Sequence, residues 1–232
     1  MQAEQPQASS TSLILRTCGA GFTAHDGFIW PSTVGATVRP VLWDPSPECG
    51  NGLHGFLYGE GSGGLADWSD TAEWIVFETP TADIVNLGDK VKCPVAVVAH
   101  VGQGATAFDR RLDAIAFLVS RGQCGMGCIG RALTGGDGST LTGGDGSTLT
   151  GGDRSTLTGG YGSTLTGGDD STLTGGYDST LTGGYCSTLT GKWWDASAGR
   201  YRRRLFTVGE DGILPGVAYR MSDVGVLVKV EP

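Results

Sequence analysis

The sequence predicts a mainly β protein. Its centre is a short parallel β-solenoid of about four sixteen-residue coils, flanked by an N-terminal α+β domain and a C-terminal β cap. Three observations predict it. Residues 135–190 are one octapeptide, GG-x-x-STLT, written seven times without a gap. The segment before the repeats holds four of the six tryptophans and several short apolar runs, the composition of a packed domain. The segment after them concentrates aromatic and basic residues, as a terminal cap of a repeat array does. The expected boundaries are a flexible arm over 1–12, a globular domain over 13–123, the solenoid over 124–190 and the cap over 191–232.

Taken in order, the arm is polar and rich in Gln, Ala and Ser. Strands are expected at Leu13–Arg16, Trp74–Glu78, Asp83–Leu87 and Pro94–Val101, where short apolar runs occur. A helix is expected over 105–120. There Phe108, Leu112, Ile115 and Val119 form one apolar stripe, with Asp109, Arg110, Arg111 and Asp113 on the opposite side. Gly122, Gly125, Gly127 and Gly130 then break the helix. Residues 127–134, GCIGRALT, keep the repeat frame but place Arg131 at the Ser position, a degenerate first unit. Eight units therefore run from 127 to 190.

Alternation decides which side chains of STLT face inward. A strand puts Ser and Leu on one face and the two Thr on the other. Leucine is the only large apolar residue, so Leu133, Leu141, Leu149, Leu157, Leu165, Leu173, Leu181 and Leu189 form the core. The remaining four residues of each unit are turn formers. An eight-residue ring would have a perimeter of about 26 Å and no room for facing leucines. Sixteen residues give two strands and two turns around one layer of side chains. Alternate units then stack, which places Tyr161 and Tyr177 in one column as an aromatic ladder. Asp137, Asp153 and Asp169 share the other column with Tyr185, either solvated or sharing a cation.

The cap, beginning GKWWDASAGRYRRR, carries Trp193, Trp194 and Tyr201 to cover the last coil, and strands are expected over 201–208 and 224–230. It also carries Lys192, Arg200, Arg202, Arg203 and Arg204 against Asp195, whereas the repeats hold six Asp and one Arg, a net −5. A basic cap beside an acidic barrel suits head-to-tail association of copies.

The whole chain has 232 residues, a net charge of −8 and a pI near 4.8, which argues against nucleic acid or an anionic membrane as partner. No signal-peptide pattern or membrane-length apolar run occurs, so a cytoplasmic location is expected. The six cysteines read as small, mostly buried thiols rather than a disulfide framework, and CGMGC lacks the spacing of a zinc knuckle. GGDG superficially matches the nonapeptide of calcium-binding β-rolls, but the period is eight and the Asp stands third, so no metal and no cofactor is expected.

The GYGSTLT-type octapeptides of 127–190 resemble the central repeats of bacterial ice nucleation proteins. The resemblance implies sixteen-residue coils, outward Thr-x-Thr rows and a tyrosine ladder; residues 200–204 resemble that family's arginine-rich terminal coils. The family has dozens of coils and an amino-terminal membrane-associating domain, and this chain shows neither. FTAHDGFIWP, WDPSPECGNGLHGFLYGEG and the strand over 74–77 resemble instead a small domain of bacterial and phage proteins, which implies no activity.

Three functions are therefore expected in turn. The first is a structural, self-assembling protein that joins copies of itself end to end, through Lys192, Trp193, Trp194, Arg200, Tyr201, Arg202, Arg203 and Arg204. The second is an ice or water surface built from Thr140/Thr142, Thr148/Thr150, Thr156/Thr158, Thr164/Thr166, Thr172/Thr174, Thr180/Thr182 and Thr188/Thr190. Their spacings, about 6.7 Å along a strand and about 4.8 Å between coils, lie close to an ice lattice. The third is an enzyme or ligand-binding domain over 13–120, with Cys49 and His54 as nucleophile and base and Glu60 nearby. No catalytic signature rises above this, and the expected chain is not an enzyme.

Overall fold

The computed structural model describes residues 10–125 and 127–231. It divides into two compact units: Met1–Gly61 with Ala66–Gly125, and Ser62–Leu65 with Met126–Pro232.

The first unit is an antiparallel sheet with one helix. Its strands are β1 (Thr11–Cys18), β2 (Thr37–Val38), β3 (Leu53–Leu57), β4 (Glu73–Pro80), β5 (Val85–Asn86), β6 (Val91–Cys93) and β7 (Ala96–Val101), in the order β2-β7-β4-β1-β3-β6-β5. Ile14, Ile75, Phe77 and Val98 face one core, and Trp30 stacks on Phe77 with ring centroids 5.0 Å apart. Residues 1–9 of the expected arm lie outside the described residues, and Thr11 and Ser12 belong to β1.

Two expectations for this unit are corrected, and one strand is added. The strand expected over Asp83–Leu87 is reduced to the two residues of β5, because a 3-10 turn occupies Thr81–Asp83. The strand expected over Pro94–Val101 begins at Ala96, with β6 as a separate strand before it. LHGFL, which the sequence did not single out as a strand, is the strand β3. Gly55 is what disguised it: a Cβ there would collide with Ile14 and the Leu15 carbonyl, so this strand needs glycine to lie against β1.

The helix α1 (Ala107–Ser120) starts at Thr106, whose hydroxyl accepts from Asp109 N while the Asp109 carboxylate accepts from Thr106 N, a capping box. Its buried stripe is Ala114, Ile115 and Leu118, rotated from the expected one, and Phe108 and Val119 are about half exposed. The supposed polar side supplies the reason. Arg110 pairs with Glu73 at 3.1 Å, and Asp113 accepts from Gln103 N and bonds His100 Nε2 at 2.7 Å. These bonds turn part of the charged side toward the sheet.

The second unit is the solenoid. Strands β8 (Ala132–Thr134), β10 (Thr148–Thr150), β12 (Thr164–Thr166) and β14 (Thr180–Thr182) form one parallel stack; β9 (Thr140–Thr142), β11 (Thr156–Thr158), β13 (Thr172–Tyr177) and β15 (Thr188–Asp195) form the other. Every pairing of the Thr-Leu-Thr strands joins residues sixteen apart, as in Leu149↔Leu165 and Leu157↔Leu173, and the register shifts only after Thr174, where Tyr177 pairs with Lys192. Leu149, Leu157, Leu165, Leu173, Leu181 and Leu189 are buried, with Leu133 and Leu141 partly buried at the start of the stack.

The cap closes both stacks with reversed strands. β16 (Arg200–Thr207) pairs antiparallel with β15, and β17 (Ala218–Met221) pairs antiparallel with β14, followed by β18 (Leu227–Lys229). Sequence reading missed β17 and expected its neighbour over 224–230. Tyr219, buried opposite Leu181, is the residue that commits the segment to the core.

Candidate functional site

The site grows from the octapeptide, one position at a time. The buried Ser hydroxyls tie coil to coil. Ser171 Oγ accepts from Ser155 N at 3.1 Å and donates to Gly152 O at 3.2 Å; Ser187 repeats the pattern with Ser171 N and Gly168 O. Buried hydroxyls of the inner coils are satisfied in this way, whereas the Ser147 hydroxyl, nearer the start of the stack, is buried without a partner among the described residues.

The third position is also structural. Asp137 Oδ1 accepts from Asp153 N, Asp153 Oδ1 from Asp169 N, and Asp169 Oδ1 from Tyr185 N, at 2.7–3.1 Å. Asp145 does the same for Tyr161 N at 2.7 Å and also accepts from Gly63 N. Each of these carboxylates is thus engaged through Oδ1 by a backbone N–H of the coil that follows. The second glycine of the following unit makes room for this: a Cβ at Gly152, Gly160, Gly168 or Gly184 would meet the carboxylate of Asp137, Asp145, Asp153 or Asp169. The fourth position has positive φ throughout, including Arg154 (58°), Asp170 (55°), Asp178 (61°) and Cys186 (57°).

These ladders hold the threonines in register. On one face Thr140, Thr156, Thr172 and Thr188 align, beside Thr142, Thr158, Thr174 and Thr190. On the other Thr148, Thr164 and Thr180 align, beside Thr134, Thr150, Thr166 and Thr182. Neighbouring rows repeat at about 4.8 Å, and the two threonines of one strand stand about 6.7 Å apart.

The aromatic column lies at one edge. Tyr161 and Tyr177 stack at 6.0 Å, and the column continues past the expected pair to Tyr201 at 5.6 Å and Trp194 at 5.0 Å. The cap cations stand on β15 and β16. Lys192 Nζ lies 4.2 Å from the Tyr201 ring centroid and opposite Arg203 in register. Arg202, opposite Trp193, pairs with Asp195 at 2.7 Å, and Arg200 stands opposite Asp195. Arg204 lies over Phe206 and donates to Gly225 O. Hydrogen bonds from Ser197, with help from Ala198 and Arg202, hold the Asp195 carboxyl below its usual range.

The candidate catalytic residues do not assemble. Cys49 is a free, exposed thiol, His54 is half-buried in β3 and Glu60 is exposed, and no hydrogen bond or ion pair joins them among the described residues. Burial, then Lys90, Arg16 and Lys92, push the His54 pKa down to about 4, which leaves it a weak base at neutral pH. The reading of the cysteines as thiols is corrected at one pair: Cys124 and Cys128 are disulfide-bonded, while Cys18, Cys49, Cys93 and Cys186 are free.

No family model matches the chain, and no solved structure matches it. Curated relatives do. The chain is 37% identical over 101 residues to the ice nucleation protein of Pseudomonas fluorescens, 39% over 98 residues to that of Pseudomonas syringae, and 48% over 99 residues to that of Xanthomonas campestris pv. translucens. Each match spans 41–43% of this chain but only 6–8% of the relative. The matches lie in the repeat region. Over its repeats, this chain is similar to the ice nucleation proteins.

Proposed function

We propose that the solenoid presents an ice-nucleation-like surface, in which the outward Thr-x-Thr arrays order water, and that the protein is not an enzyme. One observation carries this reading: uncharged hydroxyl and methyl groups repeat in two in-register rows per face, clamped by ladders of Ser and Asp. The similarity of the repeats to ice nucleation proteins supports it, and favours it over filament formation as the primary role.

Scale sets the condition under which it acts. Four strands at about 4.8 Å make a row only about 14 Å long between its end threonines. Nucleation depends on the area of the template, so a single solenoid binds ice and an array of solenoids nucleates it. Copies gathered through the solenoid ends and the basic β16 supply that array. The test is droplet freezing and thermal hysteresis of the purified chain. Freezing above the buffer baseline, or measurable hysteresis, is expected; a match to buffer in both removes the reading. Light scattering at high concentration tests the assembly step separately, and a strict monomer overturns it.

A further inference from the structure

The two threonine faces differ at their closing strands. On the β9–β15 face, Thr207 of β16 stands opposite Thr188 and Leu205 opposite Thr190. One row therefore gains a fifth threonine and its neighbour an exposed aliphatic side chain, while the cations of this face, Lys192 and Arg203, stand opposite each other one step further along the strands, outside the threonine rows. On the β8–β14 face, Arg220 stands opposite Thr180 and Ala218 opposite Thr182, and Ala132 occupies the first position of the row. The Arg220 guanidinium pairs with Asp178 at 3.2 Å, and both side chains are nearly half exposed.

Exposure differs in the same direction: five of the eight threonines aligned on the first face are exposed (Thr140, Thr142, Thr156, Thr158 and Thr172), against three of the seven on the second (Thr134, Thr150 and Thr164). A surface that orders water by lattice match needs flat, uncharged, repeating groups. An ion pair brings its own hydration, and a guanidinium stands well above the threonine hydroxyls.

We propose that the two faces are not equivalent: the β9–β16 face engages ordered water at an ice embryo, and the β8–β17 face does not. This rests on the ice-surface reading given above. The experiment measures the fraction of full-length protein taken up by slowly growing ice, for the unaltered chain, for Thr156→Arg/Thr172→Arg and for Thr148→Arg/Thr164→Arg. Far-UV circular dichroism melting checks that both variants fold. The first pair is expected to lower the partition into ice about tenfold and the second to change it less than about twofold. Equal losses, or a larger loss from the second pair, overturn the face assignment and leave the ice reading standing. An unaltered chain that ice excludes overturns both. Should either double variant fail to fold, Arg220→Thr gives a second route. It completes a row on the silent face and is expected to raise uptake, and no gain overturns the assignment.

Discussion

Asp153 illustrates how much one side chain contributes to a repeat. Its Oδ1 takes the N–H of Asp169 in the next coil at 2.9 Å, and its own N–H is taken by Asp137. Asp153→Ala leaves the Asp169 N–H to water at a partly exposed turn. It is expected to lower stability by about 0.5–1.5 kcal/mol, with Asp153→Asn losing less; urea melting of the solenoid checks both. His54 supplies a pH dependence. The folded chain keeps it neutral down to about 4 against an ordinary 6.5. The unfolded chain therefore binds a proton that the folded one refuses between those values, and stability falls as pH drops from 6.5 toward 4. Tryptophan fluorescence during urea unfolding is expected to show that slope, and His54→Gln to flatten it. An unchanged slope in the variant assigns it to other groups. The Asp and Ser roles were not legible in the sequence. Both residues are common turn formers, and only the sixteen-residue register shows that each reaches into an adjacent coil.

At the scale of elements, the leucine layer carries the solenoid. Leu165 is fully buried between Leu149 and Leu181 of its own stack and faces the opposite one. Leu165→Ala is expected to cost about 2–5 kcal/mol, because a rigid single layer collapses poorly around the cavity. Thermal melting of the variant measures it. The coil length was legible because geometry allows no other answer: leucines eight apart need an opposite strand to face. The N-terminal sheet was less legible. Gly55 broke the apparent strand LHGFL, yet the fold demands glycine there. In the helix, Phe108 and Val119 advertised an apolar stripe, but Arg110 and Asp113 found partners on the sheet and rotated it. Apolar periodicity records hydrophobicity alone and carries no sign of such partly buried polar pairs. The Thr rows followed directly from alternation, whereas their inequality depends on β16 and β17, whose pairing partners are distant in sequence.

For the whole molecule, coil number is the natural variable. A sixteen-residue insert, two further GGDGSTLT units after Thr190, keeps each stack in register and adds one threonine pair to each face. Stability is expected to hold or rise, since each coil adds a buried Leu layer and one more set of ladder bonds. Freezing activity is expected to rise with it. Melting temperature and droplet-freezing onset, compared across inserts, check both, and a fall in onset with added coils would count against the threonine rows.

The reversed strands of the cap carry one more consequence. β8 and β9 end their stacks with no further strand paired to them among the described residues, whereas β14 and β15 are sealed by β17 and β16. The new outer strand β16 bears Arg200, Arg202, Arg203 and Arg204, and pairing it with its own copy would set like charges side by side. In the language of polymer chemistry, this charge is a protecting group on one edge of the cap: it disfavours coupling of two copies through β16, while β18, the outer edge of the other stack, carries no such row of arginines.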